Sequence, residues 1–455
     1  MRDYINILFL LTDMAKVIKL RKGLDINLKG KAAKETASVE CPGEYALCPE
    51  DFTGLKPKVV VKEGDAVKAG DALFVDKLHP EVCFVSPVSG VVSQVERGDR
   101  RKLLSVRVKC DMKFESKVFK TDGDVKALLL ESGIFGMIRQ RPYDTVANPD
   151  ETPKAIHVSA FNSMPLAQDF EYVLNGQEAE FQAGLSALSK IAPVNLGVSS
   201  KQSAKALTEA KDCTVYVFDG PAPAGNVGVQ INHINPINKG EVVWTLGAEE
   251  VIMLGRILKT GKVDYSRTIA LAGSEVKAPK YYKVKVGQKL STLLAGQVAE
   301  GGVRVINGNP MTGVKTCKDG FLAAHATEVT AIPEGDNADE MLGWIMPRFS
   351  QYSTHRSYFS WLFGSKKEYV LDSRVKGGER HMIMSGEYDK VFPMDIYAGY
   401  LIKAIITGDI DRQEALGIYE VAPEDFAIAE FVCSSKLELQ RIVREGLDIL
   451  KKENA

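Results

Sequence analysis

Residues 59–74 read VVVKEGDAVKAGDALF, and residues 85–92 read VSPVSGVV. Apolar and polar residues alternate over short runs in both stretches, which is typical of half-buried β-strands. The pairs Gly64-Asp65 and Gly70-Asp71 separate the runs. Glycine supplies the positive φ that tight hairpins require, so these pairs indicate turns. The region therefore predicts a small flattened barrel of short strands.

The predicted barrel resembles the biotinyl and lipoyl carrier domains, which have the barrel-sandwich fold. Such domains carry an acylated lysine at a hairpin tip between two hydrophobic residues. The tip here reads Leu78-His79-Pro80 and offers no amine, while Lys77 lies just before it. We expect a structural adaptor that carries no prosthetic group. The alternative is a carrier lysine at Lys77 that is shifted along the hairpin.

The chain has 455 residues, which is enough for three or four domains with real cores. Its 58 basic and 59 acidic residues nearly cancel, and no long run of one sign occurs, so nucleic acid is not an expected partner. Seven cysteines are scattered without a Cys-x-x-Cys pair. This pattern argues against a disulfide framework and against a zinc or iron-sulfur site, and it fits a reducing cytoplasm.

The first residues include the apolar run INILFLL at positions 5–11, followed by a second methionine, Met14. A bilayer core needs roughly 20 apolar residues, so this run is too short to span it. No small-residue cleavage site follows. We expect translation to begin at Met14, which makes residues 1–13 an N-terminal extension. A short surface anchor is the alternative.

Composition and periodicity predict four domains after the N-terminal extension. The barrel occupies residues 14–118, and strands alternating with helices indicate a mostly parallel α/β domain over residues 119–275. A β-rich domain is expected at 276–333, and a helical domain at 334–455. Predicted elements of the α/β domain are a helix over 122–131 capped by Thr121, a helix over 177–188, and strands at 155–159, 194–198 and 214–218.

Four stretches, in order along four predicted domains, carry a closer resemblance. They are IKLRKGLDI at 18–26, GLKPK at 54–58, GPAPAGNVG at 220–228 and GGER at 377–380. Through them the chain resembles the NqrA family, whose members belong to the bacterial sodium-translocating NADH:quinone oxidoreductases. The resemblance implies a Rossmann-like α/β domain related to the complex I flavoprotein. It also implies a β-grasp, soluble-ligand-binding domain and a helical C-terminal domain of degenerate ferredoxin-like type.

The related flavoproteins hold flavin with a glycine-crowded loop, whose free amides bind the phosphate. The matching stretch here reads SGIFGMIRQRP at 132–142, in which Phe135, Met137 and Ile138 would fill the space that glycines leave open. The acidic stretch of the relatives is absent at 160–165, and their Glu-Lys pair is absent at 223–230. We therefore expect no flavin on this chain. The alternative is a flavin- and NADH-binding dehydrogenase subunit with diverged loops.

The ferredoxin-like relatives bind two iron-sulfur clusters, each of which needs four thiolates. Of the second cluster's ligands only Cys433 remains, and the first has none. We expect Cys433 to be a buried small side chain, with a reactive thiol as the alternative. Accordingly we assign no catalytic, cofactor-binding or metal-binding residue, and expect no cofactor to be bound by this chain.

The resemblance implies a peripheral subunit on the cytoplasmic face of the bacterial inner membrane, with integral membrane subunits among its partners. The complex would pass electrons from NADH, through flavins and iron-sulfur centres in other subunits, to a quinone, and couple this to sodium export. Quinone binding by this chain is compatible with the resemblance, although no residue identifies a pocket. A quinone or small-ligand module, built on the β-grasp segment 286–316, is a further alternative.

A docking surface is predicted in residues 339–363, which are rich in aromatic and basic residues. On a helix that begins after Pro347, side chains three or four positions apart share one face. Such a face suits a membrane partner. The alternative is packing of the helical domain onto the α/β domain. The predicted docking residues are Arg348, Phe349, Tyr352, Arg356, Phe359 and Phe363.

Overall fold

The computed structural model describes residues 16–336, 345–354, 356, 358–363 and 367–454. The predicted extension at 1–13 and the start at Met14 lie outside these residues. The described strands form sheets of seven, six, four and three strands. The seven-stranded and six-stranded sheets belong to the α/β and β-rich parts, and the two small sheets build the barrel.

The barrel has the predicted alternation of short strands and tight turns. Gly64 and Gly70 have φ values of 91° and 94°, in the region that glycine tolerates best. Asp65 and Asp71 close these turns, because each side chain accepts a hydrogen bond at 2.7 Å from the backbone N–H three residues earlier. The four-stranded sheet consists of Glu44–Leu47, Leu103–Cys110, Gly90–Arg97 and Ala66–Val67, and the three-stranded sheet of Pro57–Val59, Ala72–Asp76 and Cys83–Val85.

The hairpin tip of the barrel touches the neighbouring domain. The Nδ1 atom of His79 lies 3.5 Å from a carboxylate oxygen of Asp150. Lys77 and Leu78 are exposed. A tip that contacts another domain of the same chain is compatible with the adaptor interpretation, and the absence of a prosthetic group on Lys77 stays a prediction.

The seven-stranded sheet forms the centre of the α/β part, and five of its strands run parallel to their neighbours. The predicted helix at 122–131 begins later, at Val125, because Asp124 and not Thr121 caps it by accepting from the Lys126 N–H. In spatial order the strands are Lys16–Lys19, Thr214–Asp219, Val194–Ser199, Ile156–Ser159, Val243–Gly247, Arg139–Arg141 and Thr145–Val146. The helices are Val125–Ser132, Phe170–Leu174, Glu178–Leu188, Lys205–Thr208, Val227–Ile234 and Ala248–Thr260.

The six-stranded sheet mixes parallel and antiparallel pairs, and the short helix Leu290–Leu294 accompanies it. Val329 and Ala331 from one central strand and Ile269 from its neighbour are fully buried in the same apolar cluster as this helix. In spatial order the strands are Val314–Thr316, Val303–Asn307, Glu328–Pro333, Ser266–Ala272, Lys280–Lys285 and Ala33–Ser38.

Two predicted domain boundaries need correction. Residues 16–38, assigned to the barrel, supply edge strands elsewhere: Lys16–Lys19 pairs with Thr214–Asp219, and Ala33–Ser38 pairs with Lys280–Lys285. Strand Ser266–Ala272, assigned to the α/β domain, lies inside the six-stranded sheet. The two N-terminal strands pair with segments far away in the sequence, which leaves no local signal. Ser266–Ala272 instead pairs antiparallel with Lys280–Lys285, which follows it closely, and parallel with Glu328–Pro333.

In the described residues the C-terminal part has α-helices only from Glu387 onward, so the prediction of a helical domain from residue 334 is wrong for the described residues between 345 and 386. Between 345 and 386 the described chain is irregular, apart from the 3-10 turn Phe359–Phe363. The helices pack through Leu401, Ile402 and Leu447, which are fully buried. The helices are Glu387–Val391, Ala398–Thr407, Ile410–Ala415, Ala427–Val432 and Leu439–Glu453.

Candidate functional site

A cavity of about 530 Å³ lies where all four parts of the chain meet. It opens at the carboxyl ends of the parallel strands Ile156–Ser159 and Val243–Gly247. Open α/β sheets commonly bind ligands at this edge. The barrel contributes Asp51, whose carboxylate accepts the backbone N–H of Ala324 at 2.9 Å. The cavity is therefore the main candidate for a ligand site in the described part of the chain.

Buried carboxylates dominate the wall of this cavity. Glu249 and Glu250 begin the helix Ala248–Thr260 directly after a strand, and both are at least 96% buried. Acidic side chains at this end of a helix stabilise it through the macrodipole. Arg267 donates to Glu250 at 2.6 Å, and Gln168 donates to Glu249 at 2.6 Å. The chain's own carboxylates thus occupy the helix N-terminus that would otherwise attract an anion.

The β-rich part adds a third buried carboxylate, Glu328, which accepts from the Thr327 hydroxyl at 2.8 Å and from the Gln168 backbone N–H at 3.3 Å. Burial raises the pKa of Glu249 to about 7 and also raises the pKa of Glu328. Arg267 opposes both shifts, since its positive charge favours the ionised carboxylates. The Arg267 guanidinium therefore stabilises ionised carboxylates from both the α/β part and the β-rich part.

A second buried ion cluster joins the α/β part to the C-terminal helices. The Arg141 side chain is 1% exposed and donates to Asp425 and Glu424, both at 3.0 Å. Asn226 adds a hydrogen bond at 3.0 Å to the Glu424 carbonyl. Burial is the largest contribution to a raised pKa of Glu424, and the Arg141 charge opposes it. These contacts fix the C-terminal helices against the cavity.

Sequence reasoning missed both clusters, although part of their signal was present. Glu249-Glu250 follows a buried apolar strand and opens a helix, so their position at the strand ends was readable. That Arg267 and Arg141 would be the partners of these carboxylates could not be predicted from the sequence. Arg141 lies 284 positions from Asp425, and no local pattern relates such residues.

The region that matches the flavin loop of relatives is filled by the chain's own side chains. Phe135 and Ile138 are buried, and the Phe135 ring lies 5.3 Å from the ring of Trp244 in an edge-on contact. A Cβ at Gly136 would meet the Phe84 ring at 2.6 Å, so the loop is pressed against the barrel. With Glu249 and Glu250 at the helix N-terminus, these residues do not fit a phosphate-bearing flavin or dinucleotide.

Cys433 is 1% exposed, and its Sγ lies 2.9 Å from the hydroxyl oxygen of Tyr388. This agrees with the expectation of a buried thiol. In the part of the chain that the structure describes, no three His, Cys, Asp or Glu side chains are grouped so as to hold a metal ion. The same residues include no helix with the length and apolar character needed to cross a bilayer.

The predicted docking residues do not lie on a helix, which corrects that prediction. Arg348 and Arg356 have φ values of 44° and 56°, and an α-helix cannot contain this left-handed conformation. Tyr352 turns inward, where its ring lies 5.2 Å from Tyr369 and 5.6 Å from Phe431.

The structure nevertheless brings three of the predicted aromatic side chains together on the surface. The Phe349 ring centroid lies 6.0 Å from those of both Phe359 and Phe363. These three side chains are 49%, 53% and 57% exposed. An apolar cluster therefore exists, but tertiary turns assemble it and helical periodicity does not.

Taken with the folds of its parts, these features define a multidomain α/β and β protein with an N-terminal barrel-sandwich domain. Three family descriptions match successive regions: "NqrA N-terminal barrel-sandwich hybrid domain" at residues 18–111, "NqrA second alpha/beta domain" at 120–263 and "NQRA C-terminal domain" at 268–318. The chain belongs to the NqrA family of Na⁺-translocating NADH-quinone reductase subunits.

Relatives that carry this family's name match over almost the whole chain. The protein of Yersinia pestis bv. Antiqua is 33% identical over 449 residues, and that of Haemophilus influenzae strain PittGG is 35% identical over 451 residues. Each match covers 96% of this chain and 100% of the relative. A crystal structure of an NAD⁺-reducing [NiFe]-hydrogenase in the H₂-reduced state matches 47% of this chain and 48% of its own, with 12% identity and a TM-score of 0.33.

Proposed function

We propose that the chain is a peripheral subunit, on the cytoplasmic face of the membrane, of a sodium-pumping NADH:quinone oxidoreductase. The observation that carries the proposal is the 33–35% identity to NqrA proteins of Na⁺-translocating NADH-quinone reductases across 96% of the chain. In this role it contributes to quinone reduction coupled to sodium export. Integral membrane subunits are its partners, and flavins and iron-sulfur centres lie in other subunits.

The finer fold assignments belong to the same proposal. The parallel strands with flanking helices support a Rossmann-like domain, and the mixed six-stranded sheet with its short helix supports a β-grasp domain. The helical region from Glu387 keeps the frame of a ferredoxin-like domain without its cluster thiolates. Apart from the two N-terminal edge strands, strand Ser266–Ala272 and the later start of the helices, the proposed domain boundaries are those expected from the sequence.

Direct quinone binding is the second candidate function. The turn Asn307–Gly313 of the β-rich domain lines the cavity beside Phe161, Met164 and Phe170. A cavity of about 530 Å³ with apolar and polar walls is large enough for a small ligand. A short-chain quinone that raises the thermal unfolding temperature of the isolated protein would support this candidate, and the absence of any shift would remove it.

The aromatic cluster supplies the docking surface in this proposal. We expect the double variant Arg356→Glu with Phe359→Ser to remain folded, because both side chains are exposed. The variant should fail to co-purify with the membrane subunits. Circular dichroism of the isolated protein and affinity purification of the complex measure the two effects. Unfolding of the isolated variant would show that the residues belong to the core, and normal recovery of the complex would place docking elsewhere.

A further inference from the structure

Seven large apolar side chains of the segment between residues 345 and 363 are exposed, and three of them, Phe349, Phe359 and Phe363, are in ring contact. We call these seven side chains the aromatic patch. Each is more exposed than most apolar residues of the molecule, with exposed fractions from 44% to 63%. Exposed apolar groups concentrated in one place mark a surface that is covered in the working state of a protein. The members are Ile345, Met346, Phe349, Phe359, Trp361, Leu362 and Phe363.

Basic side chains lie directly against the rings of this patch. The guanidinium carbon of Arg356 lies 5.3 Å from the ring centroid of Trp361, and the Lys367 ammonium lies 4.4 Å from that of Phe363. The sequence has no aspartate or glutamate between positions 341 and 367. In a chain whose net charge is only −1, this segment is a local concentration of positive charge.

We propose that the aromatic patch inserts into the interfacial region of an anionic phospholipid bilayer. Rings and aliphatic side chains would enter the boundary between headgroups and acyl chains, while Arg356 and Lys367 would contact lipid phosphates. The inference deepens the proposed function and rests on it, because that function places the chain beside a membrane.

Beside the proposed docking to membrane subunits, the composition and charge of the patch suit contact with lipid. Within its described residues the one regular element is the 3-10 turn Phe359–Phe363, where Phe359, Trp361, Leu362 and Phe363 are all exposed and only Ser360 is buried. These four exposed apolar side chains fall within five residues, which gives a compact apolar group for insertion. The charged side chains described between residues 345 and 367 are all basic, which complements an anionic headgroup layer.

The test uses the full isolated chain and vesicles without any protein. We expect the chain to sediment with vesicles that contain about 30% phosphatidylglycerol, and much less with pure phosphatidylcholine. The triple variant Phe349→Ser, Phe359→Ser, Phe363→Ser should lower the partition coefficient at least tenfold. Arg356→Glu should lower it about fivefold or more, since a basic residue near an anionic surface contributes about 1 kcal/mol. The control, Val118→Ser with Tyr397→Ser, removes two apolar groups elsewhere that are each 70% exposed, more than any of the three phenylalanines, and should bind as the parent does.

Several outcomes separate this inference from the proposed function. Absence of sedimentation, or equal loss in the control and the triple variant, overturns lipid insertion. Recovery with membrane subunits without binding to protein-free vesicles shows that the patch contacts protein, which overturns the inference and leaves the proposed function intact. Circular dichroism of each variant excludes loss of fold as the cause. In a Trp344→Phe background, which removes the other tryptophan of this segment, quenching of Trp361 fluorescence by brominated lipid provides an independent readout, and Trp361→Phe should abolish it.

Discussion

Arg267 is the residue on which the acidic wall of the cavity depends. Its side chain is fully buried, and its Nη2 donates to Glu250 at 2.6 Å, while its Nε lies 3.6 Å from Glu249. A third contact runs from its Nη1 to the Ala326 carbonyl at 2.8 Å, in the β-rich part. Glu249 and Glu250 thus share the Arg267 guanidinium, and Glu249 lies farther from it than Glu250 does. Burial is the largest cause that raises the pKa of Glu249 to about 7; the Glu250 charge adds to this shift, and the Arg267 charge opposes it.

The raised pKa of Glu249 predicts a pH-dependent effect of Glu249→Gln. Because the folded pKa is raised from 4.5 to about 7, the folded state binds more protons than the unfolded state between these values, and stability falls as pH rises through this window. The variant removes that loss. We expect the free energy of unfolding of the variant minus that of the parent to be about 1 to 3 kcal/mol more positive at pH 8 than at pH 4.5, so that the variant is relatively more stable at the higher pH.

Urea denaturation at the two pH values measures this difference. Glutamine keeps the acceptor for the Gln168 side chain, so the hydrogen bond at 2.6 Å can persist. The exposed control Glu40→Gln should show the same effect at both pH values. An effect of Glu249→Gln that does not change with pH would contradict a Glu249 pKa that burial has raised.

At the scale of single elements, the strand and helix predictions succeeded where the apolar side of an element faces the core. The helix Glu178–Leu188 buries Phe181, Leu185 and Leu188 at helical spacing, and that spacing is visible in the sequence. The predicted docking residues near Phe349 have similar helical spacing in the sequence, but they do not form an α-helix. Helices in proteins are stabilised mainly by packing of their apolar face, and here Phe359 and Phe363 face solvent. Periodicity alone could not distinguish the two cases.

The buried cluster around Arg141 predicts a large effect at the contact between two elements. Arg141→Met leaves the carboxylate of Asp425, which is fully buried, without its cation. We expect a loss of about 3–5 kcal/mol in the free energy of unfolding, measured by chemical denaturation. The double variant Arg141→Met with Asp425→Leu should lose less than the single one, because no buried charge is left unpaired at this pair.

An exposed ion pair provides the comparison for this prediction. Lys239 contacts Glu414 at 2.8 Å on the surface, and Lys239→Met should barely move the denaturation midpoint. If Arg141→Met behaved like Lys239→Met, the cluster would not hold the C-terminal helices in place.

At the scale of the whole molecule, the order of the domains could be predicted from the sequence. The contacts between the domains could not. The barrel was readable from its Gly-Asp turns, which are local. Lys16–Lys19 beside Thr214–Asp219 was not readable, because about two hundred residues separate the paired strands. The cavity is formed by such contacts between domains, because each of four regions contributes an acidic residue to its wall. These residues are Asp51, Glu249, Glu328 and Glu424. A site assembled in this way has no sequence motif.

The same assembly leads to a prediction about colour. The flavin-type loop is filled by buried Phe135 and Ile138, the helix N-terminus at Gly247 is occupied by glutamates, and Cys433 is a single buried thiol beside Tyr388. We expect the chain, purified alone under anaerobic conditions, to lack a flavin absorption band and stoichiometric iron. A visible spectrum and iron analysis measure both quantities. A yellow protein that bleaches on addition of NADH would establish the flavin- and NADH-binding dehydrogenase instead, because diverged loops would then still hold the cofactor against the acidic wall.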